Sequence, residues 1–319
     1  MPRTSKRTVP ATVPPSRRAR LPEWFRVSIA GGKRYGDLKR TLKSLNLATV
    51  CEEAGCPNLG ECWSSGTATV MVLGDTCTRG CRFCGVTAGD PGGVTDPKEP
   101  ENTAEAIEEM ARKSGITYVV ITSVDRDDLP DLGAGHYASC IETIRSRTPD
   151  MRVEVLTPDF QGRIEAIRRI ASAQPDVFGH NIETVRRLHR RVRDARAGYD
   201  QSLAVLRMAR DEGMEITKSG LMVGHGETRE EMLEAMSDLR DAGVDLLTIG
   251  QYLQPSRKHL PVARIWTPEE LEDLREEGME MGYRYVAAGP LVRSSYRAAE
   301  HYAKALLDSR SSGCDSGNH

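Results

Sequence analysis

The chain has 319 residues and a formal net charge of −2, with 39% hydrophobic and 28% charged residues. That length allows one large α/β domain or two ordinary ones, and the near-neutral charge argues against a nucleic-acid or anionic-membrane partner. No run of about 18 apolar residues occurs, which argues against a membrane span. Eight cysteines in so long and charged a chain do not make a disulfide scaffold, so clustered thiols point instead to metal ligation in a reducing compartment.

Residues 1–22 carry six basic residues and no acidic one. Such a stretch partly fits an organelle transit peptide, but Pro10, Pro14, Pro15 and Pro22 forbid a continuous amphipathic helix, and a disordered basic arm is expected. Residues 23–68 form an N-terminal extension, with Leu38, Leu42, Leu45 and Leu47 at near-helical spacing ahead of a loop that holds Cys51, Cys56 and Cys62.

From residue 69 the pattern alternates strand and helix. Strands are expected at 69–74, 117–123, 152–158, 176–182, 215–224 and 245–253, and helices at Thr103–Lys113, His136–Arg147, Gly162–Ser172, Thr184–Val192, Asp200–Glu212 and Thr228–Ala242. Thr103 and Thr228 read as helix N-caps. Repeated βα units of this size mean a parallel sheet, and the absence of Gly-x-Gly-x-x-Gly after the first strand weakens a dinucleotide-binding version. The expected fold is α/β, a partial (β/α)6 TIM-type barrel over 69–255. A C-terminal strand and helix extension follows over 256–309, with a helix at Pro268–Glu280 and a strand at 284–289. Residues 310–319 read as a disordered tail.

A barrel puts chemistry at the C-terminal ends of its strands. Polar residues gather at those ends here, among them Thr122, Ser123 and Asp125, Thr157 and Asp159, His180, Asn181 and Glu183, and Gln251. Cys77, Cys81 and Cys84 follow the first strand at spacings of three and two. Zinc sites favour paired Cys-x2-Cys, whereas three thiolates on a cubane cluster leave one iron open for another ligand, so the spacing favours an iron–sulfur cluster over zinc.

Strand, Cys-x3-Cys-x2-Cys loop and repeated βα units together resemble the radical S-adenosylmethionine superfamily. With Cys51-x4-Cys56-x5-Cys62 upstream, the chain is similar to the lipoyl synthase family within it. The likeness runs through 122–134 (TSVDRDDLPDLGA), 154–160, 180–185 (HNIETV), 218–224, 250–256, 259–262 and 289–296 (GPLVRSSY), covering about residues 21 to 300. A biotin synthase type of sulfur inserter fits the upstream triplet and the Arg-Ser-Ser-Tyr motif less well. A zinc-stabilised binding module without chemistry is the more distant alternative.

The resemblance implies an enzyme that inserts two sulfur atoms at C6 and C8 of an octanoyl chain held on a carrier-protein lysine. It implies two 4Fe-4S clusters and S-adenosylmethionine, which the cluster on Cys77, Cys81 and Cys84 would cleave to start radical chemistry. It assigns Cys51, Cys56, Cys62 and Ser295, with Ser294 as the fallback, to an auxiliary cluster consumed as the sulfur source. Without the family match, Ser295 would read as the cap of a tail helix. The implied partners are octanoylated lipoyl carrier domains (2-oxoacid dehydrogenase E2 subunits and the glycine cleavage H protein), a ferredoxin or flavodoxin, and an iron–sulfur carrier that rebuilds the cluster. The short basic arm favours a bacterial cytosol over a mitochondrial matrix.

For the cofactor, position singles out Asn181 and Glu183 first, then Thr122, Ser123, Asp125, Glu154 and Lys218, since such groups can hold ribose hydroxyls or pair with a carboxylate. His225 stands where the family pattern has leucine; it reads as a surface residue and is given no role. Cys140, on a helical pattern, reads as core. The basic run Arg186–Arg193 reads as a solvated face, or as a docking site for an acidic carrier domain.

Overall fold

A computed structural model describes residues 21–25, 40, 67–303 and 306. Cys51, Cys56, Cys62, Cys314, most of the basic arm and most of the 23–68 extension lie outside these residues.

β1 (Thr67–Val72) leads into a small parallel pair, β2 (Thr76–Cys77) and β3 (Thr87–Ala88), which flanks the second cysteine triplet. There follow α1 (Glu99–Ser114), β4 (Tyr118–Ser123), α2 (Ala134–Arg147), β5 (Arg152–Leu156), α3 (Ile164–Ser172) and β6 (Val177–Gly179). Then come α4 (His189–Val192), α5 (Tyr199–Asp211), β7 (Thr217–Val223), α6 (Arg229–Asp241), β8 (Leu246–Gln251), α7 (Pro268–Glu280) and β9 (Tyr285–Gly289). The large sheet has seven parallel strands in the order β1-β4-β5-β6-β7-β8-β9. A doubly wound sheet reverses its strand order at a switch point. This strand order never reverses, and the sheet is the partial barrel that the sequence pattern predicts.

Strand side chains alternate between the two faces. Val70, Val72, Val119, Ile121, Val153, Val155 and Phe178 point outward and form one core with Ile107, Ile141, Ile144, Ile167 and Ile170 of the covering helices. The opposite face looks into the barrel. There Tyr118 and Val120 pack with Ala298, and Val177, Ile216 and Leu246 pack with Tyr302 and Leu306. Most of these residues lie at the N-terminal ends of their strands, so the C-terminal segment stoppers the bottom of the barrel and leaves the top for chemistry.

Three local expectations need correction. Thr103 is no cap: Pro100 fits the first turn, where its missing N–H is not needed, so α1 begins at Glu99 and Thr103 is buried inside it. The expected helix over 184–192 breaks into a 3-10 turn (Arg186–Leu188) and the single-turn α4. β6 keeps only three residues of the expected seven: His180 N–H still donates to Lys218 O on β7, but the next ladder donor, Ile182 N–H, turns to Ser219 Oγ. Thr228 does cap α6 through a full capping box, and Thr267 does the same for α7.

Gly250 is fixed by close approach, since a Cβ there would collide with the Val292 carbonyl oxygen, which is backbone and cannot yield cheaply. Gly250→Ala is therefore expected to unseat the segment after β9. Hydrogen exchange or proteolysis should quicken over 290–303 and stay unchanged in β4–β6. Unaltered protection of that segment would contradict this packing.

Candidate active site at the C-terminal ends of the strands

The cysteine loop is held by a buried arginine within it. Arg79 is 3% exposed, and its guanidinium reaches Asp127 Oδ1 and Oδ2 (2.9 and 2.8 Å), Asp159 Oδ2 (2.7 Å) and Asp125 Oδ1 (3.3 Å). A guanidinium presents several fixed donors, which suits one cation set among three carboxylates. Burial raises the Asp159 carboxyl, but the Arg79 contacts outweigh it and hold the group down at about 2. Burial has the larger say at Asp125, which rises to about 6 despite Arg79. Backbone bonds complete the seat: Thr78 N–H and Oγ1 both donate to Asp125 O, and Gly80 N–H donates to Asp194 Oδ2.

The three thiols are half-buried and receive N–H donors, from Arg79 to Cys77 Sγ (3.4 Å) and from Asp194 to Cys81 Sγ (3.3 Å). Burial, with Asp125 beside it, pushes Cys77 up to about 11, and burial pushes Cys84 up to about 12. Bare thiols are therefore protonated here, and a bound metal would displace those protons. The three groups lie near enough to raise one another, yet they do not converge as ligands of one ion would. Tetrahedral zinc sets its ligand atoms within about 4 Å of one another. Among the described residues only Glu99, His136 and Cys140 gather within 4.8 Å. That group is explained by structure: Glu99 Oε2 accepts the Leu73 N–H (2.8 Å) and meets His136 Nε2 (2.6 Å), and Cys140 is fully buried core, as its helical pattern suggests. Three soft donors spread wider than a single-ion site fit a polynuclear cluster better than zinc.

The polar residues at the strand ends divide into two groups. Around the mouth, Asn181 Nδ2 donates to Glu183 Oε1 (3.1 Å) and to Ser294 Oγ (2.6 Å). Glu183 has a left-handed φ of 71° and is close enough to raise the Cys81 and Cys84 thiols. Burial raises Glu183 itself, and the Arg193 charge opposes the shift. Ser123 Oγ is buried without a partner among the described residues. Asp125 lies 3.8 Å from Cys77 Sγ. Deeper in the barrel, Lys218 Nζ bonds Glu154 Oε1 (2.7 Å) and Tyr118 Oη donates to Glu154 Oε2 (2.7 Å), all three residues 2% exposed. Thr122 Oγ1 donates to Leu156 O.

Ser295 is half-buried, three residues ahead of the helix that starts at 298. Arg297 occupies the position before that helix, with φ 47°, so the cap reading of Ser295 fails and its hydroxyl is free of that duty. His180 is structural, bonding Thr157 O (2.9 Å) and Ser202 Oγ (3.0 Å). His225 is not a surface residue: it is 4% exposed, stacked on Tyr252 at 4.3 Å, with both ring nitrogens unpartnered among the described residues. In the basic run, Arg186 bonds Asp200 and Asp238, Arg187 bonds Glu231, and Arg193 turns inward to Ser202 Oγ and Asn181 O. Sequence reasoning missed Arg79, Arg193 and Asp127, whose partners are remote in the chain. A basic residue inside a metal loop, facing a run of aspartates such as DRDD, was the available signal.

Arg79→Met would leave Asp159 and Asp125 buried without their cation, at a cost of about 3–5 kcal/mol. Urea unfolding should show that loss, and anaerobically purified variant should hold less iron than Arg79→Lys. Equal iron and stability in both would exclude the anchoring role. Burial also holds His180, His189 and His225 down at about 4, from an ordinary value of 6.5. Each is neutral when folded, so its contribution is complete above pH 6.5 and is lost as pH falls through about 4. Unfolding between those values should take up as many as three protons. His180→Gln should flatten that slope by about one proton, and an unchanged slope would contradict the assignment.

Residues 71–250 match the family model of the radical SAM superfamily, and residues 9–56 match that of the N-terminal domain of lipoyl synthase. A lipoyl synthase of Anaeromyxobacter sp. (strain Fw109-5) is 57% identical over 92% of this chain and 99% of its own. One of Thermus thermophilus is 55% identical over 89% of this chain and 87% of its own, and a mitochondrial one of Branchiostoma floridae is 54% identical over 92% and 79%. Among solved structures, HydG, a maturase of the FeFe-hydrogenase, aligns with a TM-score of 0.56 at 16% identity, covering 85% of this chain and 66% of that one. Methylornithine synthase aligns at 0.52 and 12% identity, covering 77% and 73%. Those two likenesses show the fold alone. The fold, the cysteine loop and the matches along nearly the whole chain agree: it belongs to the lipoyl synthase family of the radical SAM superfamily.

Proposed function

We propose that this chain inserts sulfur at C6 and C8 of an octanoyl group carried on a lysine of a lipoyl carrier protein, using two separately held 4Fe-4S clusters. The observation that carries the reading is a line of neighbours across the mouth. Glu183 is near enough for its charge to act on the Cys81 and Cys84 thiols, Asn181 bonds Glu183, and Asn181 also bonds Ser294. The segment Arg293–Tyr296 therefore lies beside the cysteine loop, so a group held by its serine would face one held by the three thiols. When bound, the clusters and S-adenosylmethionine supply hydrogen-atom abstraction and the sulfur atoms.

The chain's own residues hold and orient these groups. Cys77, Cys81 and Cys84 hold the cluster that works with S-adenosylmethionine. Cys51, Cys56, Cys62 and Ser295 hold the auxiliary cluster, with Ser294 engaged by Asn181 and so the weaker candidate for ligation. A hard oxygen ligand suits iron–sulfur chemistry less than a thiolate does, which makes the serine-held iron the easiest to release. Around the cofactor, Ser123, Asp125, Asn181 and Glu183 line the mouth. Glu154 and Lys218 enter the reading as one preorganised buried pair, since each already satisfies the other, and Thr122 steadies the β4–β5 edge. No general base is needed, because hydrogen leaves as an atom. An acidic ferredoxin or flavodoxin supplies electrons and an iron–sulfur carrier rebuilds the auxiliary cluster. No helix among the described residues is long and apolar enough to cross a membrane, and the bacterial cytosol is the proposed setting.

Two sets of alanine variants separate the roles. Loss of Cys77, Cys81 and Cys84 should abolish both 5′-deoxyadenosine release and sulfur insertion. Loss of Cys51, Cys56 and Cys62 should keep 5′-deoxyadenosine release and abolish insertion. If the second set still forms lipoyl product, the sacrificial source lies elsewhere. Ser295→Cys should slow turnover and hold its iron longer; unchanged turnover and iron loss would remove serine ligation from the account.

A further inference from the structure

Among the described residues, Tyr118, Val177, Leu246 and Tyr302 fill the bottom of the barrel, which leaves the mouth as the way in for a carrier-borne chain. The rim of that mouth is electrically lopsided. Arg82, between Cys81 and Cys84, is exposed, and its backbone donates to Val192 O (2.9 Å) and accepts from the Leu260 N–H (3.0 Å). Those two bonds draw the end of α4, with exposed Arg190 and Arg191, and the turn bearing exposed Arg257 and Lys258 around the outer side of the cysteine loop. The turn is firm: Ser256 Oγ meets His259 Nδ1 (2.9 Å) and Gln254 Nε2 donates to His259 O (2.8 Å). None of these five cations has an acidic partner among the described residues. Nearby Arg186, Arg187 and Arg196 are each tied to carboxylates, which is the ordinary fate of a surface arginine in this fold. On the β1 side, the turn before the cysteine loop exposes Asp75, and the loop from β3 to α1 exposes Asp90 and Asp96, whose bonds are local. Arg126 and Asp128 fasten that loop to the end of β4.

Like charges gathered without partners repel one another, and complementary charge at an entrance steers and orients an incoming protein. We infer that Arg82, Arg190, Arg191, Arg257 and Lys258 form the docking face for an acidic lipoyl carrier domain, seated beside the cysteine loop so that its acyl-lysine arm points into the barrel. The inference rests on the sulfur-insertion reading and narrows the basic run seen in sequence, of which only Arg190 and Arg191 remain available. It adds three cations that lie far from them in the chain.

The test reverses charge in two pairs, Arg190→Glu with Arg191→Glu and Arg257→Glu with Lys258→Glu, in cluster-loaded enzyme. Carrier binding is measured directly by calorimetry at low and moderate salt, without turnover, so the result does not depend on sulfur insertion. Each double variant should weaken binding of an octanoylated carrier domain by about tenfold or more and flatten its salt dependence. Turnover of a short octanoyl-lysine peptide should stay at the wild-type rate. Unchanged carrier affinity would overturn the inference. So would intact carrier affinity with turnover lost only when an acidic electron-transfer protein replaces dithionite, since the face would then belong to the reductant. Equal losses on carrier and peptide with carrier affinity unchanged would place these residues in the chemistry and also overturn docking. A wild-type enzyme that binds the carrier through this face yet forms no lipoyl product would uphold docking and sink the sulfur-insertion reading alone.

Discussion

One buried guanidinium organises the mouth of this barrel. Arg79 sits inside the loop that carries the three thiols, and its carboxylate partners come from the ends of two neighbouring strands, β4 and β5. A loop of eight residues rich in polar backbone has little apolar surface with which to fix itself. The ion-pair hub supplies that fixation, at the price of burying charge that must stay fully paired. Its consequence is geometric: Cys77 is pinned against Asp125, and Cys81 against the backbone of Asp194, so two of the three thiols are held in place before any group binds.

The same logic of pairing runs through the interior. Glu154, Lys218 and Tyr118 would each be costly to bury alone, and together they satisfy one another between the filled bottom and the open top. Above them, Asn181 links the end of β6 to Ser294 on the far C-terminal segment. Gly220 makes room for that link, because a Cβ there would fall 2.7 Å from Asn181 Oδ1. Packing at the bottom and hydrogen bonding at the top thus fix the same C-terminal segment, and it reaches the site as part of the barrel rather than as a loose tail.

Much of this was legible from sequence, for physical reasons that differ by element. Strands such as VVITS and LLTIG are short β-branched or apolar runs bounded by turn residues, and their pattern survives folding unchanged. The α6 and α7 starts were written in their threonine–glutamate boxes. The cysteine spacing carried its chemistry openly. What sequence hid was everything that depends on distant partners. Arg79 meets Asp127 and Asp159 across 48 and 80 positions, and no local pattern announces such a pair. The Arg186–Arg193 run looked like one solvated helix, yet it folds as a 3-10 turn and one α turn, and Arg193, extended after their end, turns inward to Ser202. His225 read as surface because glycines flank it, and only the packing of Tyr252 against it shows its burial.

The central claim is that this chain holds two iron–sulfur clusters on separate cysteine triplets, one to work with S-adenosylmethionine and one to supply sulfur. Purification without oxygen, followed by iron, sulfide and zinc analysis per chain, tests it most directly. About eight irons and eight sulfides per chain are expected, as two cubane clusters require. About four of each would leave the first triplet without a cluster and the inserted sulfur without a source, and zinc in place of iron would contradict the account outright.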